Sequence, residues 1–361
     1  MKEVLVLKKV LFIVNSLGQG GAERVVANLA NEMCKNNEVT IITFYDDIAY
    51  ELDTRIYYYK LNQKKGKLSK LKSLFSLSKQ LNHLVLILEK DKKFDLITTH
   101  LPYAHLITRN TSFATRSFFI IHTVYSRELN RYFAKLLVKY IYKNKHVVTV
   151  SEGVKYEFET LFKVKCKMIK VIPNPIDIEL IQNYAEEEFS IDFKYVLGVG
   201  RFEKNKRFDL MMKAFNLSNA KENRKLVILG DGTERETLKK LSMDLGIVEK
   251  VVFPGWVINP YVWLKNSDLV IITSEFEAFP MNILESLACD AKTISVDCDY
   301  GPREILKDEL SPYLIKDQTI QNIGEKIDDA LNKYPENRQK YALEYNIDNI
   351  IKKCFELELN V

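Results

Sequence analysis

Glu277 and Glu285, separated by seven residues, stand in the stretch Ser274-Glu275-Phe276-Glu277-Ala278-Phe279-Pro280-Met281-Asn282-Ile283-Leu284-Glu285-Ser286. The apolar run Leu269 to Thr273 before it reads as a buried strand, and Met281 to Cys289 reads as a helix. At such a strand-turn-helix junction the first backbone N–H groups of the helix converge on one spot, and the helix dipole favours phosphate there. Two carboxylates beside an anion site are out of place unless they hold hydroxyl groups. Taken alone, the stretch is read equally well as a helix-start charge followed by a solvated helix residue.

Other residues offer complementary chemistry. Arg201 and Lys206 lie in Gly198-Val199-Gly200-Arg201-Phe202-Glu203-Lys204-Asn205-Lys206-Arg207-Phe208, which leaves the end of another apolar run. Two cations at a strand end suit a diphosphate, although an ordinary basic loop has the same composition. Ser16-Leu17-Gly18-Gln19-Gly20-Gly21-Ala22-Glu23 joins the first strand to the first helix. A dinucleotide fingerprint would need a third glycine where Glu23 stands, so a nicotinamide enzyme is disfavoured. What survives is a glycine loop at a helix start that a ligand can approach closely. His100 and His122 each end an apolar run, a common place for a structural hydrogen bond and also for a ligand contact, and neither has a Ser or Cys setting that suggests a triad. Asp297-Cys298-Asp299 matches a three-residue metal-binding string of sugar-transferring enzymes, but it falls too late in the strand order for that role.

These residues need a scaffold, and the chain supplies two. With 361 residues it exceeds what one core usually organises. Strand-like runs at 10–15, 39–44, 95–99, 118–121 and 147–150 alternate with helical patterns at 21–35, 67–90 and 128–143. In the last of these, Leu129, Tyr132, Phe133, Leu136, Leu137, Tyr140 and Ile141 form the expected core stripe. Two prolines in Ile172-Pro173-Asn174-Pro175-Ile176-Asp177 mark a linker. The alternation then restarts, with strands at 195–199, 225–229, 250–253, 268–273 and 292–296. The expectation is an α/β protein with two successive parallel-sheet domains, 1–175 and 176–344, whose ligands lie at the carboxyl ends of the strands.

Five scattered cysteines without a C-x-x-C pair argue against a disulfide framework or a zinc site and suit a reducing cytoplasm. The N-terminal apolar run is interrupted by Lys8 and Lys9, too broken for a signal peptide or a spanning helix. Net charge is divided unevenly: residues 1–175 carry 29 Lys and Arg against 15 Asp and Glu, and the remainder 24 against 33.

In this order, the motifs resemble the retaining glycosyltransferases of family 4, with their two-domain GT-B fold. The resemblance covers essentially the whole chain. It rests on Gly18-Gln19-Gly20-Gly21-Ala22-Glu23-Arg24, Ile121-His122, Val150-Ser151-Glu152-Gly153-Val154, Ile172-Pro173-Asn174-Pro175-Ile176-Asp177, Gly200-Arg201 with Lys206, Gly230-Asp231-Gly232, Glu277-x7-Glu285 and Gly301-Pro302-Arg303-Glu304-Ile305-Leu306. One departure is Ala278, where the family commonly has glycine.

The resemblance implies two Rossmann-like domains facing a central cleft, with a last helix at about 345–361 packing back on the first domain. It implies a nucleotide-sugar donor, with UDP-sugars favoured, held mainly by the second domain. Arg201 and Lys206 would neutralise the diphosphate together with backbone N–H groups near Met281 and Asn282; Glu285 would take the ribose, and Glu277 the sugar, with Phe279 also lining the donor site. Gly20 and Gly21 would close over the diphosphate, His122 would face the reacting sugar, and His100 and His122 would meet a glycan or lipid-linked glycan acceptor. With no protein nucleophile evident, the expected chemistry is front-face displacement without cofactor or metal ion.

In the basic first domain, Lys60, Lys64, Lys65, Lys67, Lys70, Lys72 and Lys79 surround one helix, and Arg127, Arg131, Lys135, Lys139, Lys143 and Lys145 another. These suggest peripheral contact with an anionic membrane, on the inner face of the cytoplasmic membrane, where the alternative is a solvated lysine-rich surface. Nucleic acid is disfavoured because the aromatics fall on core-like stripes. Two rival readings are a nucleotide-sugar 2-epimerase and a non-catalytic nucleotide-sugar-binding protein.

Overall fold

Wherever aliphatic and β-branched residues run uninterrupted, the chain forms a strand buried on both faces, and helical segments cover those faces. The computed structural model describes residues 7–18, 20–61, 70–128 and 130–357. The chain divides into two units, Met1–Pro175 with Ile347–Val361, and Ile176–Asn346.

The first unit holds β1 (Lys9–Val14), β2 (Glu38–Thr43), β3 (Tyr57–Lys60), β4 (Leu96–His100), β5 (Phe118–Ile121), β6 (His146–Thr149) and β7 (Met168–Val171). They form one sheet in the order β3-β2-β1-β4-β5-β6-β7. Every pairing is parallel, with Val10 opposite both Val39 and Leu96. On one face, Leu77, Leu81 and Val85 of the helix Lys70–Leu88 pack with Leu11, Ile13, Ile42 and Ile97. The helix Ile347–Phe355 returns to this unit against the helix Gly21–Met33, and the Lys8 ammonium lies 4.5 Å from the Phe355 ring centroid.

The second unit holds β8 (Tyr195–Val199), β9 (Lys225–Leu229), β10 (Val251–Gly255), β11 (Leu269–Ile272), β12 (Thr293–Val296) and β13 (Leu314–Ile315), in the order β10-β9-β8-β11-β12-β13. All pairings are again parallel. Helices Phe208–Leu217 and Ile320–Asn332 bury Met211, Phe215, Ile323 and Ile327 with Val196, Ile228 and Ile271 of the sheet. Both units therefore have the covered parallel sheet of the Rossmann-like class.

Three details differ from the pattern read in the sequence. The segment 128–143 is not one helix: a short turn of helix at Tyr125–Glu128 stops, and Asn130 starts a new helix, Arg131–Tyr142, by accepting a hydrogen bond from the Tyr132 N–H at 3.1 Å. This helix buries Ala134, Val138, Ile141 and Tyr142, whereas Tyr132, Phe133, Leu136 and Tyr140 are exposed; Leu129 lies outside the described residues. The expected core stripe is therefore mostly exposed, Ile141 excepted, and the face that carries Ala134 and Val138 meets the core instead. On Lys70–Leu88, where the sequence pattern puts Leu71, Leu74, Phe75, Leu81, Leu84 and Leu88 on one stripe, the buried line runs through Leu77, Leu81 and Val85, and Phe75 is exposed.

The last helix, expected at about 345–361, runs over Ile347–Phe355, and residues 358–361 lie outside the described residues. Residues 338–341 and 343–345 form short 3-10 turns within the second unit, and Asn346 is extended.

Candidate active site

Open parallel sheets bind ligands where the strand order reverses, because the loops leaving the two strands diverge there. In the second unit that point lies between β8 and β11. Arg201 and Lys206 follow β8, and Glu277 follows β11. The two loops are joined by hydrogen bonds: Thr273 Oγ1 donates to the carbonyls of Lys206 and Arg207, each at 3.0 Å, and the Glu275 N–H donates to the Asn205 carbonyl at 2.7 Å. Lys206 Nζ reaches Glu277 Oε1 at 2.6 Å, and Ser274 Oγ donates to the same oxygen at 2.7 Å. Both charged side chains are largely buried. Arg201, in contrast, is 71% exposed and pairs with Glu203 at 2.9 Å.

Glycines set the shape of this corner. A Cβ at Gly230, whose φ is 131°, would stand 1.9 Å from the Gly200 carbonyl oxygen, so only glycine lets the loops after β8 and β9 touch. Gly301, at φ 59°, backs the acidic turn: its Cβ would stand 2.5 Å from Pro280 Cδ. Ala278 is not among the residues with positive φ, so the turn accepts alanine without strain.

The helix Met281–Ala288 starts directly after this turn. Asn282 Nδ2 approaches the Val199 carbonyl at 3.4 Å, tying the helix start to the end of β8. Glu285 lies further along that helix and is only 6% exposed. The Phe279 side chain is buried against Tyr345, with ring centroids 5.5 Å apart, so it packs the fold and offers a ligand little more than its backbone. In the string Asp297-Cys298-Asp299, Arg303 binds the Asp297 carboxylate through Nε at 3.0 Å and Nη2 at 2.9 Å. Cys298 is buried, which pushes its thiol up to about 12. Among the described residues no group of three or more His, Cys, Asp or Glu side chains is placed to hold a metal ion.

In the first unit the order reverses between β1 and β4. The loop after β1 is held by hydrogen bonds from the Leu17 N–H to the Asp47 carbonyl at 2.8 Å and from Tyr50 Oη to the Gly20 carbonyl at 3.0 Å; Gln19 is outside the described residues. A Cβ on Gly21 would meet nothing within 4 Å, and the nearest atoms to one on Gly20 belong to the Glu23 carboxylate, at 2.0 Å, a flexible end that can move aside. Packing within the chain therefore gives no reason for glycine at position 21.

His100 closes β4, and His122 follows β5 by one residue. Their rings stack with centroids 5.3 Å apart, and His100 Nδ1 lies 3.0 Å from His122 Nε2. His100 Nε2 lies 3.0 Å from Thr98 Oγ1, whose own hydrogen is directed to the Leu11 carbonyl at 3.5 Å. With Thr98 donating to Leu11, it accepts from His100; His100 Nδ1 then accepts from His122 Nε2–H, and His122 Nδ1 is left as an acceptor. That nitrogen is buried without a hydrogen-bond partner; the Asn174 side chain lies close enough to favour the charged ring slightly, without closing a bond to it. Burial keeps both rings neutral, lowering His122 to about 4 and His100 well below the usual histidine range. His100 is itself fully enclosed with both nitrogens engaged, so it can act on a ligand only through His122.

The structure thus joins Lys206 with Glu277, and His100 with His122. Thr98, which bonds His100, carries no sequence signal; Ser274, which donates to Glu277, and Asn174, beside His122, stand inside the stretches 274–286 and 172–177, where nothing in the sequence assigns them a role.

A two-unit Rossmann-like fold with its polar groups at the carboxyl ends of both sheets is the architecture of the GT-B glycosyltransferases. Residues 19–180 match the family described as Glycosyltransferase Family 4, and residues 182–346 match Glycosyl transferases group 1. The chain belongs to the family 4 type of GT-B glycosyltransferases. Over 349 residues it is 28% identical to the N-acetylgalactosamine-N,N'-diacetylbacillosaminyl-diphospho-undecaprenol 4-alpha-N-acetylgalactosaminyltransferase of Campylobacter jejuni, covering 92% of this chain and 94% of that one. It is 31% identical to the lipopolysaccharide 1,6-galactosyltransferase of Escherichia coli over 194 residues, about half of each chain (52% and 51%). Among solved structures, Anabaena HepE in complex with UDP superposes with a TM-score of 0.77 at 17% identity, covering 98% of this chain and all (100%) of that one.

Proposed function

We propose that this glycosyltransferase moves a hexose or N-acetylhexosamine, with retention of configuration and without a metal ion, from a UDP-sugar to a lipid-linked or other surface glycan. The observation that carries the donor side is the Lys206–Glu277 pair at the β8/β11 reversal, which sets an ammonium beside a carboxylate at the start of a helix. The ammonium, Arg201 and the N–H groups of Met281 and Asn282 meet the diphosphate, Glu277 takes sugar hydroxyls, and Glu285 takes the ribose. The names of the relatives support the acceptor class, since one acts on a diphospho-undecaprenol glycan and another on lipopolysaccharide. HepE, crystallised with UDP and glucose, supports the base.

In the reaction the bond from the sugar C1 to the terminal phosphate oxygen breaks as the bond from C1 to the acceptor oxygen forms on the same face. The acceptor hydroxyl proton passes to the departing phosphate oxygen, and the cations stabilise the charge that develops there. His122 faces the reacting sugar and the acceptor hydroxyl with a neutral ring, and His100 fixes that ring's orientation. Gly20 and Gly21 allow the diphosphate to approach the backbone.

A thermal-shift series with UDP, GDP and their sugars tests the donor, because a bound nucleotide raises the melting temperature according to its concentration over its Kd. Stabilisation by UDP-sugars, followed by transfer of labelled sugar to a polyprenyl-diphosphate glycan in EDTA, is the expected result. Stabilisation by GDP-sugars alone refutes the base, epimerised free donor refutes transfer, and loss of turnover in EDTA refutes the metal-free step.

A further inference from the structure

The helix Arg131–Tyr142 has two apolar faces and only one core to meet. At 3.6 residues per turn, Tyr132, Leu136, Tyr140 and Phe133 fall within an arc of about 100°, while Ala134, Val138 and Ile141 lie on the opposite side. The first four are 75%, 55%, 50% and 56% exposed, and the other three are buried. Lys135 and Lys139 fill the sector beside the exposed stripe, Lys143 follows the helix end, and all three are exposed. No acidic residue occurs between Asn130 and Ser151. On the flank of the stripe the Arg109 guanidinium lies 4.2 Å from the Tyr140 ring centroid.

We infer that this face docks on the surface of an anionic phospholipid bilayer, with Tyr132, Phe133, Leu136 and Tyr140 entering the headgroup boundary and Lys135, Lys139 and Lys143 meeting lipid phosphates. Charge complementarity selects this occupant. The helix sequence carries Arg131, Lys135 and Lys139 and no Asp or Glu, and it belongs to a sequence half with 29 Lys and Arg against 15 Asp and Glu. An exposed stripe of Tyr, Phe and Leu beside lysines is the composition of a helix lying in a membrane interface, where tyrosine keeps its hydroxyl in water and its ring in the acyl boundary. Among the described residues no helix is long and apolar enough to cross a membrane, so this contact is peripheral. Lysines on a purely polar face would give binding that salt abolishes. The apolar stripe predicts a component that survives salt, since burial of apolar area is not screened.

The inference extends the lipid-linked acceptor reading and is tested apart from it. The whole protein is sedimented with vesicles of neutral phosphatidylcholine and with vesicles containing phosphatidylglycerol, in low and high salt. Wild type is expected to favour the anionic vesicles and to keep part of its binding in high salt. Replacing Tyr132, Phe133, Leu136 and Tyr140 together by serine should remove the salt-resistant part, lowering partition by about tenfold or more. Lys135→Gln with Lys139→Gln should remove the preference for anionic lipid. An unchanged melting temperature and UDP-induced shift show that the variants are folded. Equal binding to both vesicle types, no binding, or serine variants that bind like wild type overturn the inference. So does a wild-type dimer that the serine variant converts to monomer, which assigns the stripe to a second copy, or retention of RNA without vesicles. If vesicle binding fails while sugar transfer to a short-chain acceptor persists, the docking surface falls and the proposed reaction stands.

Discussion

Replacing Glu277 by glutamine separates the sugar from the nucleotide. One oxygen of Glu277 receives both Lys206 Nζ at 2.6 Å and Ser274 Oγ at 2.7 Å. At an effective dielectric of about 20, unit charges at that separation attract by about 6 kcal/mol before desolvation is counted. Dehydration of two largely buried groups offsets most of this, leaving a net coupling of about 1–3 kcal/mol. The glutamine carbonyl still accepts from both donors, so Glu277→Gln should cost the second unit only about 1–2 kcal/mol, a fall of a few degrees in Tm.

Its effects on binding and turnover should diverge. The diphosphate no longer competes with a carboxylate for the Lys206 ammonium, so calorimetry should find UDP bound as tightly as before, or up to about tenfold more tightly. Transfer should fall by about 100-fold or more, the usual cost of losing one charged contact to the reacting sugar. Lys206→Met should lose both UDP affinity and transfer. The double variant then reports whether the two residues act through one another. If folded Glu277→Gln loses UDP affinity more than about tenfold, Glu277 belongs to the nucleotide and the assignment is wrong. Unchanged transfer would remove it from the site.

Gly21→Ala should leave Tm level or slightly raised, because the new Cβ meets nothing within 4 Å and alanine suits a helix start, yet it should reduce turnover; full turnover would show that no ligand approaches there. Gly230→Ala, with its Cβ 1.9 Å from a backbone oxygen, should destabilise by several kcal/mol, on the order of 3 or more, in chemical denaturation. Ala278→Gly should lower stability by about 0.5–1 kcal/mol without improving transfer, and a gain in rate would show that alanine hinders the site despite its unstrained φ. Acidification should weaken the first unit. Burial lowers His122 to about 4 and His105 to about 3 in the fold, so below the unfolded histidine value near 6.5 the unfolded chain binds protons that the folded chain refuses. Stability present above about pH 6.5 is therefore lost as pH falls toward 4, by about 2 kcal/mol for each ring by pH 5; equal denaturation midpoints at pH 7 and pH 5 would refute it.

The central strands were legible because burial on both faces demands an unbroken apolar run, as in Val10 to Val14 or Leu269 to Ile272. The strands absent from the sequence reading, β3, β7 and β13, are all sheet edges. The Tyr57-Tyr58-Tyr59-Lys60 of β3 and the Met168-Ile169-Lys170-Val171 of β7 are at best half-buried, so they lack that signature. For Arg131–Tyr142 the period was readable but the facing was not, since a helix with two apolar stripes gives one periodicity and no indication of which stripe meets the core. The motif residues of the site could be named, but their partnerships could not. Lys206 and Glu277 meet across 71 positions and His100 and His122 across 22, and only the parallel sheet order makes them neighbours.

The second unit interrupts the first, and its ends meet: the Ile176 N–H donates to the Tyr345 carbonyl at 2.9 Å, and Ile176 pairs with Asn346. A ribosome therefore releases the whole of Ile176–Asn346 before it releases Ile347–Phe355. During synthesis the later domain can fold to completion while the earlier one still lacks its final helix. Until then the apolar faces of Val25, Leu29 and Met33, which line a cavity with Ile350 and Cys354, wait open. Completion of the first-made domain is thus delayed until the second has been made, and a nascent chain stalled near residue 346 would expose that surface to chaperones.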